Sequence, residues 1–105
     1  MQQVFVGVDV GTASARAGIF DEGGALLASA RQAIATWHEA GDIVEQSSSD
    51  IWAACVAAVR AAMAQAALPS SRIAGIGFDA TCSLVVLDAG ARPLTVSQSG
   101  DPERN

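Results

Sequence analysis

The stretch GVDVGTASARAGIFD, Gly7 to Asp21, sets Asp9, Gly11, Thr12, Ser14 and Arg16 between two apolar runs. Just upstream, Val4, Val6, Val8 and Val10 alternate with Phe5, Gly7 and Asp9. β-Branched residues at a period of two predict a strand. Gly11 to Ser14 carry turn chemistry, and Ala15 to Phe20 predict a second strand. A surface hairpin with a polar tip would give the same pattern, so the chemistry of the tip has to be weighed. Asp9 falls where the first strand ends, and a carboxylate there can hold Mg²⁺ directly or through water. Gly11 can adopt positive φ and lets a ligand approach the backbone. Backbone N–H groups in such a turn can form an anion nest. Thr12, Ser14 and Arg16 are spaced by two, so on an extended chain they point the same way. Two hydroxyls and a guanidinium on one side of a hairpin suit a polyphosphate.

Outward from this stretch, DEGG at Asp21 to Gly24 predicts a turn, and Ala25 to Ala35 a third strand. The short links favour an antiparallel meander. Thr36 to Ser47 reads as a loop. The Ser47-Ser48-Ser49 run then offers a helix N-cap, and Asp50 suits the positive first turn. Ile51, Trp52, Cys55, Val56, Val59 and Met63 form an apolar stripe at helical spacing, and Leu68-Pro69 ends the helix. Ile73 to Phe78 predict a fourth strand, parallel to the first because a long helical crossover precedes it. Ser83 to Leu87 predict a fifth, DAGARP turns the chain, and the tail SQSGDPERN is expected to be irregular. The order βββ-α-β-β describes the start of a ribonuclease-H-like α/β fold with a mixed sheet. One helix covers only one face of such a sheet. The domain is therefore expected to be incomplete, with an exposed apolar face that promotes self-association.

Composition removes several function classes. Half of the 105 residues are hydrophobic and 16% are charged, too apolar for a disordered chain. No apolar run approaches the roughly 20 residues of a membrane span, and the N-terminus lacks signal-peptide character. A cytoplasmic protein is expected. The net charge is −5 and all six basic residues are Arg. Without Lys there is no Walker-type phosphate loop, and dispersed Arg in an acidic chain give no nucleic-acid footprint. Cys55 and Cys82 stand far apart in apolar runs without a CxxC, which predicts two buried thiols rather than zinc ligands.

A second motif, IAGIGFDATCSLVVLD, runs from Ile73 to Asp88. Asp79 follows a buried strand and precedes Ala80, Thr81 and Cys82. Ligand contacts in open α/β sheets sit at such strand ends. A lone Asp here would equally serve as a turn cap. If the first and fourth strands are parallel neighbours, however, Asp9 and Asp79 end on one edge and the two motifs face one cleft.

The first motif resembles the first phosphate motif of the FGGY carbohydrate kinases, which share the actin-like ATPase fold. The resemblance implies that Asp9 lies near the Mg²⁺ of bound ATP. It also implies that Gly11, Thr12, Ser14 and Arg16 face the β- and γ-phosphates. The second motif is similar to the matching stretch of the pentulose kinases of that family, of ribulokinase or ribitol-kinase type. Asp79, Ala80, Thr81 and Cys82 would then line part of the sugar pocket. Ala80 and Thr81 stand where glycerol kinases carry an Arg-Glu pair, which disfavours glycerol. GDIVEQSSSDIW, Gly41 to Trp52, also resembles the family's Val-Glu-Gln and Asp-Ile-Trp segment. The implied function is ATP- and Mg²⁺-dependent phosphorylation of a pentulose or related polyol. Residues 1–105 would form the N-terminal part of the first kinase domain, without the catalytic Asp base and the adenine pocket, and would be inactive alone. Two other readings stand beside this one. A ribonuclease-H-type nuclease would use Asp9 and Asp79, but the helix from Asp50 to Leu68 offers no interior acid to complete a two-metal cluster. A non-catalytic actin-like half-domain would bind a nucleotide or a partner only.

Overall fold

The computed structural model describes residues 2–95, 101, 103 and 104. Three strands, β1 (Val4–Val10), β2 (Ser14–Phe20) and β3 (Leu26–Ala33), form an antiparallel meander. A short hairpin follows, β4 (Thr36–His38) and β5 (Val44–Gln46), and then helix α1 (Ser48–Ala66). A single 3₁₀ turn, Ser70–Arg72, leads into β6 (Ile73–Ala80), which lies parallel to β1. The main sheet has the order β3-β2-β1-β6. The mixed sheet and the crossover expected from the sequence are both present, with β2 and β6 extended by a residue or two and β3 trimmed.

The alternation in β1 decides which face is covered. Val4, Val6 and Val8 are buried with Ala15, Ala17 and Ile19 of β2 and Ala28 of β3. Helix α1 lies over β2 and β3 and only reaches β1. Its buried residues are Ala54, Cys55, Ala58 and Ala62. This corrects the expected stripe. Cys55 is in the core, and Ile51, Val59 and Met63 are partly buried against it, but Trp52 is 63% exposed. Alanines four residues apart form a low ridge that lets the helix backbone approach the sheet closely. Trp52 is turned toward β6. There, with Val56, Val59, Ile76 and Phe78, it lines an apolar hollow of about 210 Å³.

The helix ends are set locally. The Ser47 hydroxyl accepts from Asp50 N at 3.1 Å, the expected N-cap. Ala67 closes the other end with φ 56, its N–H donating to Ala64 O while Leu68 N donates to Met63 O. A left-handed residue followed by such back-bonds ends a helix, and Pro69 prevents its resumption.

Two further expectations are corrected. The loop from Thr36 to Ser47 contains the β4–β5 hairpin, with Thr36↔Gln46, Trp37↔Glu45 and His38↔Val44 in register. The expected fifth strand, Ser83 to Leu87, does not form. Its residues are exposed, Leu84 by 82%, and β6 remains the sheet edge. The physical reason lies just downstream, where Asp88 Oδ1 accepts from Gly90 N (2.8 Å) and Arg92 N (3.0 Å). Ala91 there takes φ 62, and Leu94 N donates to Val86 O. The segment therefore closes on itself, with one bridge between Leu87 and Pro93, instead of pairing with β6. Of the tail read as irregular, residues 97–100, 102 and 105 lie outside the described residues.

The sheet face away from α1 is open, as one helix implies. Phe5, on that face, is exposed, and so are Ile76 and Phe78 of β6, which face the helix only across the Trp52 hollow. Among the described residues no helix is long and apolar enough to cross a membrane.

Candidate functional site

Register brings the two motifs together. Asp9 of β1 pairs with Arg16 on β2 and with Asp79 on β6. One rung across three strands thus carries acid, guanidinium and acid in the order Arg16, Asp9, Asp79. Because Val8 and its alternates face the helix, these side chains stand on the open face, where all three are exposed. Two residues back on the same face, Gly18, Gly7 and Gly77 lie side by side. The missing side chains make room for the Phe20 ring, since a Cβ on Gly18 would stand 2.8 Å from Phe20 Cε2 and 3.2 Å from Leu26 Cδ1. Phe20 and Leu26 wall a groove of about 570 Å³ beside the charged rung.

The hairpin tip is tied down by its carbonyls. Val10 O accepts from Thr81 N (3.0 Å), Ala13 O from Ile34 N (2.9 Å), and Thr12 O from the Gln46 side-chain amide (2.9 Å). Gly11 N closes the turn on Ser14 O at 2.9 Å. The N–H groups of Thr12 and Ala13 are used by none of these bonds. Gly11 does not use the positive φ open to a glycine. Its small size matters for another reason, since a Cβ there would stand 3.3 Å from the Ser14 carbonyl oxygen.

The expected alignment of Thr12, Ser14 and Arg16 is realised in part. Ser14 and Arg16 share a face of β2, and Ser14 is only 3% exposed. Thr12 belongs to the turn, not the strand, and opens onto a separate cleft of about 680 Å³ with Thr36, His38, Gln46, Ser83 and Leu84. Of the second motif, Ala80 pairs with Val10, and Thr81 is joined to β1 through its N–H. Cys82 is exposed, not buried as expected, because the strand that would have enclosed it is absent. Cys55 is buried, and loss of solvation pushes its thiol pKa up, partly offset by a backbone hydrogen bond.

Asp9 and Asp79 supply hard oxygen donors of the kind Mg²⁺ prefers, and their exposed rung leaves room for an ion that arrives with phosphates. Among the described residues no group of three or more His, Cys, Asp or Glu could hold a metal ion.

Sequence reasoning missed how the β4–β5 hairpin is anchored. Glu45 is buried, and Thr95 Oγ1 donates to its Oε2 at 3.4 Å. The Arg104 guanidinium lies 3.6 Å from Glu45 Oε1 and 2.7 Å from Glu39 Oε1, stacked over the Trp37 ring at 5.5 Å. The Val-Glu-Gln run was the available signal, but Glu45 meets Thr95 across 50 residues and Glu39 meets Arg104 across 65.

Residues 4–101 match the model of the N-terminal domain of the FGGY family of carbohydrate kinases. The chain is 50% identical over 104 residues to a human FGGY carbohydrate kinase domain-containing protein, covering 99% of this chain and 18% of the relative. It is 45% identical over 85 residues to a D-ribulokinase of Saccharomyces cerevisiae, covering 81% of this chain and 12% of that one. A glycerol kinase of Rhodopseudomonas palustris is 39% identical over 80 residues, covering 76% and 16%. In structure, the chain is similar to a xyloylose kinase from Brucella ovis, with TM-score 0.80 and 26% identity over 87% of this chain and 19% of that one. The chain thus spans less than a fifth of the length of each of these proteins.

Proposed function

Since this chain belongs to the FGGY family of carbohydrate kinases, we propose that it is the part of an ATP-dependent sugar kinase that seats the triphosphate and its Mg²⁺. The phosphoryl acceptor in this reading is a pentulose or a related polyol. The observation that carries the reading is the rung Arg16–Asp9–Asp79 at the common end of β2, β1 and β6. Phosphoryl transfer needs little covalent help from a protein; it needs charge placed against the phosphates and an acceptor held in line. Arg16 offers a guanidinium fork to phosphate oxygens. Asp9 holds the metal side. Gly11, Thr12 and Ser14 give a tight tip that a phosphate can approach. Asp79, Ala80, Thr81 and Cys82 form one wall of the acceptor pocket next to that edge. Mg²⁺, when bound with ATP, neutralises charge developing on the transferred group.

The pentulose assignment is supported by the D-ribulokinase relative and by Ala80 and Thr81 in place of a charged pair. The test is ADP release by the full-length protein with D-ribulose, D-xylulose, L-ribulose, ribitol and glycerol. The expected result is turnover with a pentulose or ribitol well above that with glycerol. Preference for glycerol would overturn the acceptor assignment, and no ADP release with any of them would overturn the kinase reading. The 105-residue chain alone is expected to turn over none of them.

A further inference from the structure

The Val-Glu-Gln run is tied to three different parts of the molecule. Glu45 is buried against Thr95 and Arg104, and Ser47, the next residue but one, caps α1. Between them the Gln46 amide nitrogen donates to Thr12 O at 2.9 Å and to Thr36 Oγ1 at 3.4 Å, Thr36 being its register partner in β4. A carbonyl accepts only, so the NH₂ of Gln46 must be the group that faces Thr12.

We propose that Gln46 is a positioning residue for the phosphate turn, setting the direction of the Ala13 N–H through the Thr12 carbonyl. The proposal rests on the kinase reading of that turn. A trans peptide carries its C=O and its following N–H on opposite sides, and there is no cis peptide among the described residues. Drawing the Thr12 carbonyl toward Gln46 therefore aims the Ala13 N–H away from it. The neighbouring Ala13 carbonyl is held by Ile34 N, so the tip cannot rotate freely about Thr12 and Ala13. A two-residue tip without this tether would sample both orientations of the Thr12–Ala13 peptide. A donor fixed before the anion arrives binds it more tightly than one ordered by the anion. Gln46 is itself fixed by the buried Glu45 before it and the helix cap after it.

The test uses Gln46→Glu and Gln46→Leu in the full-length protein. Gln46→Glu keeps the shape but sets a carboxylate oxygen against the Thr12 carbonyl, turning attraction into repulsion. Gln46→Leu removes the donor without adding charge. The KM for ATP should rise roughly tenfold in Gln46→Glu and less in Gln46→Leu, with kcat reduced and the sugar KM unchanged. A purely structural role would lower the Tm and the active fraction but leave the ATP KM as it was. ATP affinity equal to wild type in both variants, or ATP and sugar KM moving in step, would overturn the proposal. Calorimetric titration with Mg·ATP separates this from the acceptor assignment. If the wild type binds Mg·ATP but phosphorylates none of the sugars, the ratio of Kd values still decides the role of Gln46. A wild type that binds no Mg·ATP would overturn both.

Discussion

If the proposed kinase reading holds, Asp9→Asn is expected to lower phosphoryl transfer by the full-length protein about a thousandfold, with the fold intact. Asp9 is exposed and packs against nothing in the core, so the isosteric amide costs little stability. The loss is chemical. In its rung Asp9 stands between Arg16 and Asp79, and the amide would remove the negative charge proposed to face the metal while leaving the guanidinium in place. Positioned charge of this kind typically supplies two to four orders of magnitude in rate. Steady-state kinetics, with circular dichroism to show an unchanged fold, make the measurement. Asp42→Asn, in the exposed tip of the β4–β5 hairpin, is the matched control and should stay near wild type. An Asp9→Asn protein retaining more than about a tenth of the activity would remove Asp9 from the metal site.

Ala58→Leu destabilises the 105-residue chain by about 3 kcal/mol, whereas Trp52→Ala costs about 0.5 kcal/mol or less. Ala58 is 1% exposed, among the buried residues of α1 in the core. Three extra heavy atoms there push the helix off β2 and β3, and the cost falls on the whole interface, because cores are packed without spare room. Trp52 has most of its surface in solvent already and loses little on truncation. In a domain of ordinary stability the first change takes a large share of the total, and the second is barely measurable. Urea unfolding midpoints at low protein concentration distinguish the two. The reverse ranking would mean that the large apolar residues, not the alanines, face the sheet.

That contrast shows where the sequence is legible. Alternating valines in β1 and a long helical crossover imply a parallel neighbour, and from that pairing alone Asp9 and Asp79 fall on one edge. The same alternation puts Arg16 beside Asp9. These are properties of period and register, which side-chain pattern records directly. Of the expected stripe, Trp52 is misplaced because an apolar-stripe argument favours large side chains, whereas Ala54, Ala58 and Ala62 meet the sheet here. The β4–β5 hairpin is only three residues deep on each side. Its stability comes from Glu45, Arg104 and Trp37, groups joined across long sequence separations that no local period reveals. SLVVL at Ser83 to Leu87 has the composition of a strand, but β-propensity forms a strand only where an edge is offered in register. The Asp88 turn withdraws this segment from the edge of β6. The Gln46 bond to Thr12 is a side-chain-to-backbone contact across 34 residues, and it leaves no mark in composition or spacing.

The central claim is that the shared end of β2, β1 and β6 seats a magnesium triphosphate. A crystal structure of the full-length protein with Mg²⁺ and a non-hydrolysable ATP analogue tests it directly. The account predicts the β- and γ-phosphates at the tip of Gly11 to Ser14, with Arg16 on a phosphate oxygen and Asp9 on the metal or one of its waters. Phosphates bound elsewhere, with Asp9 and Arg16 both free of the nucleotide and its metal, would contradict it.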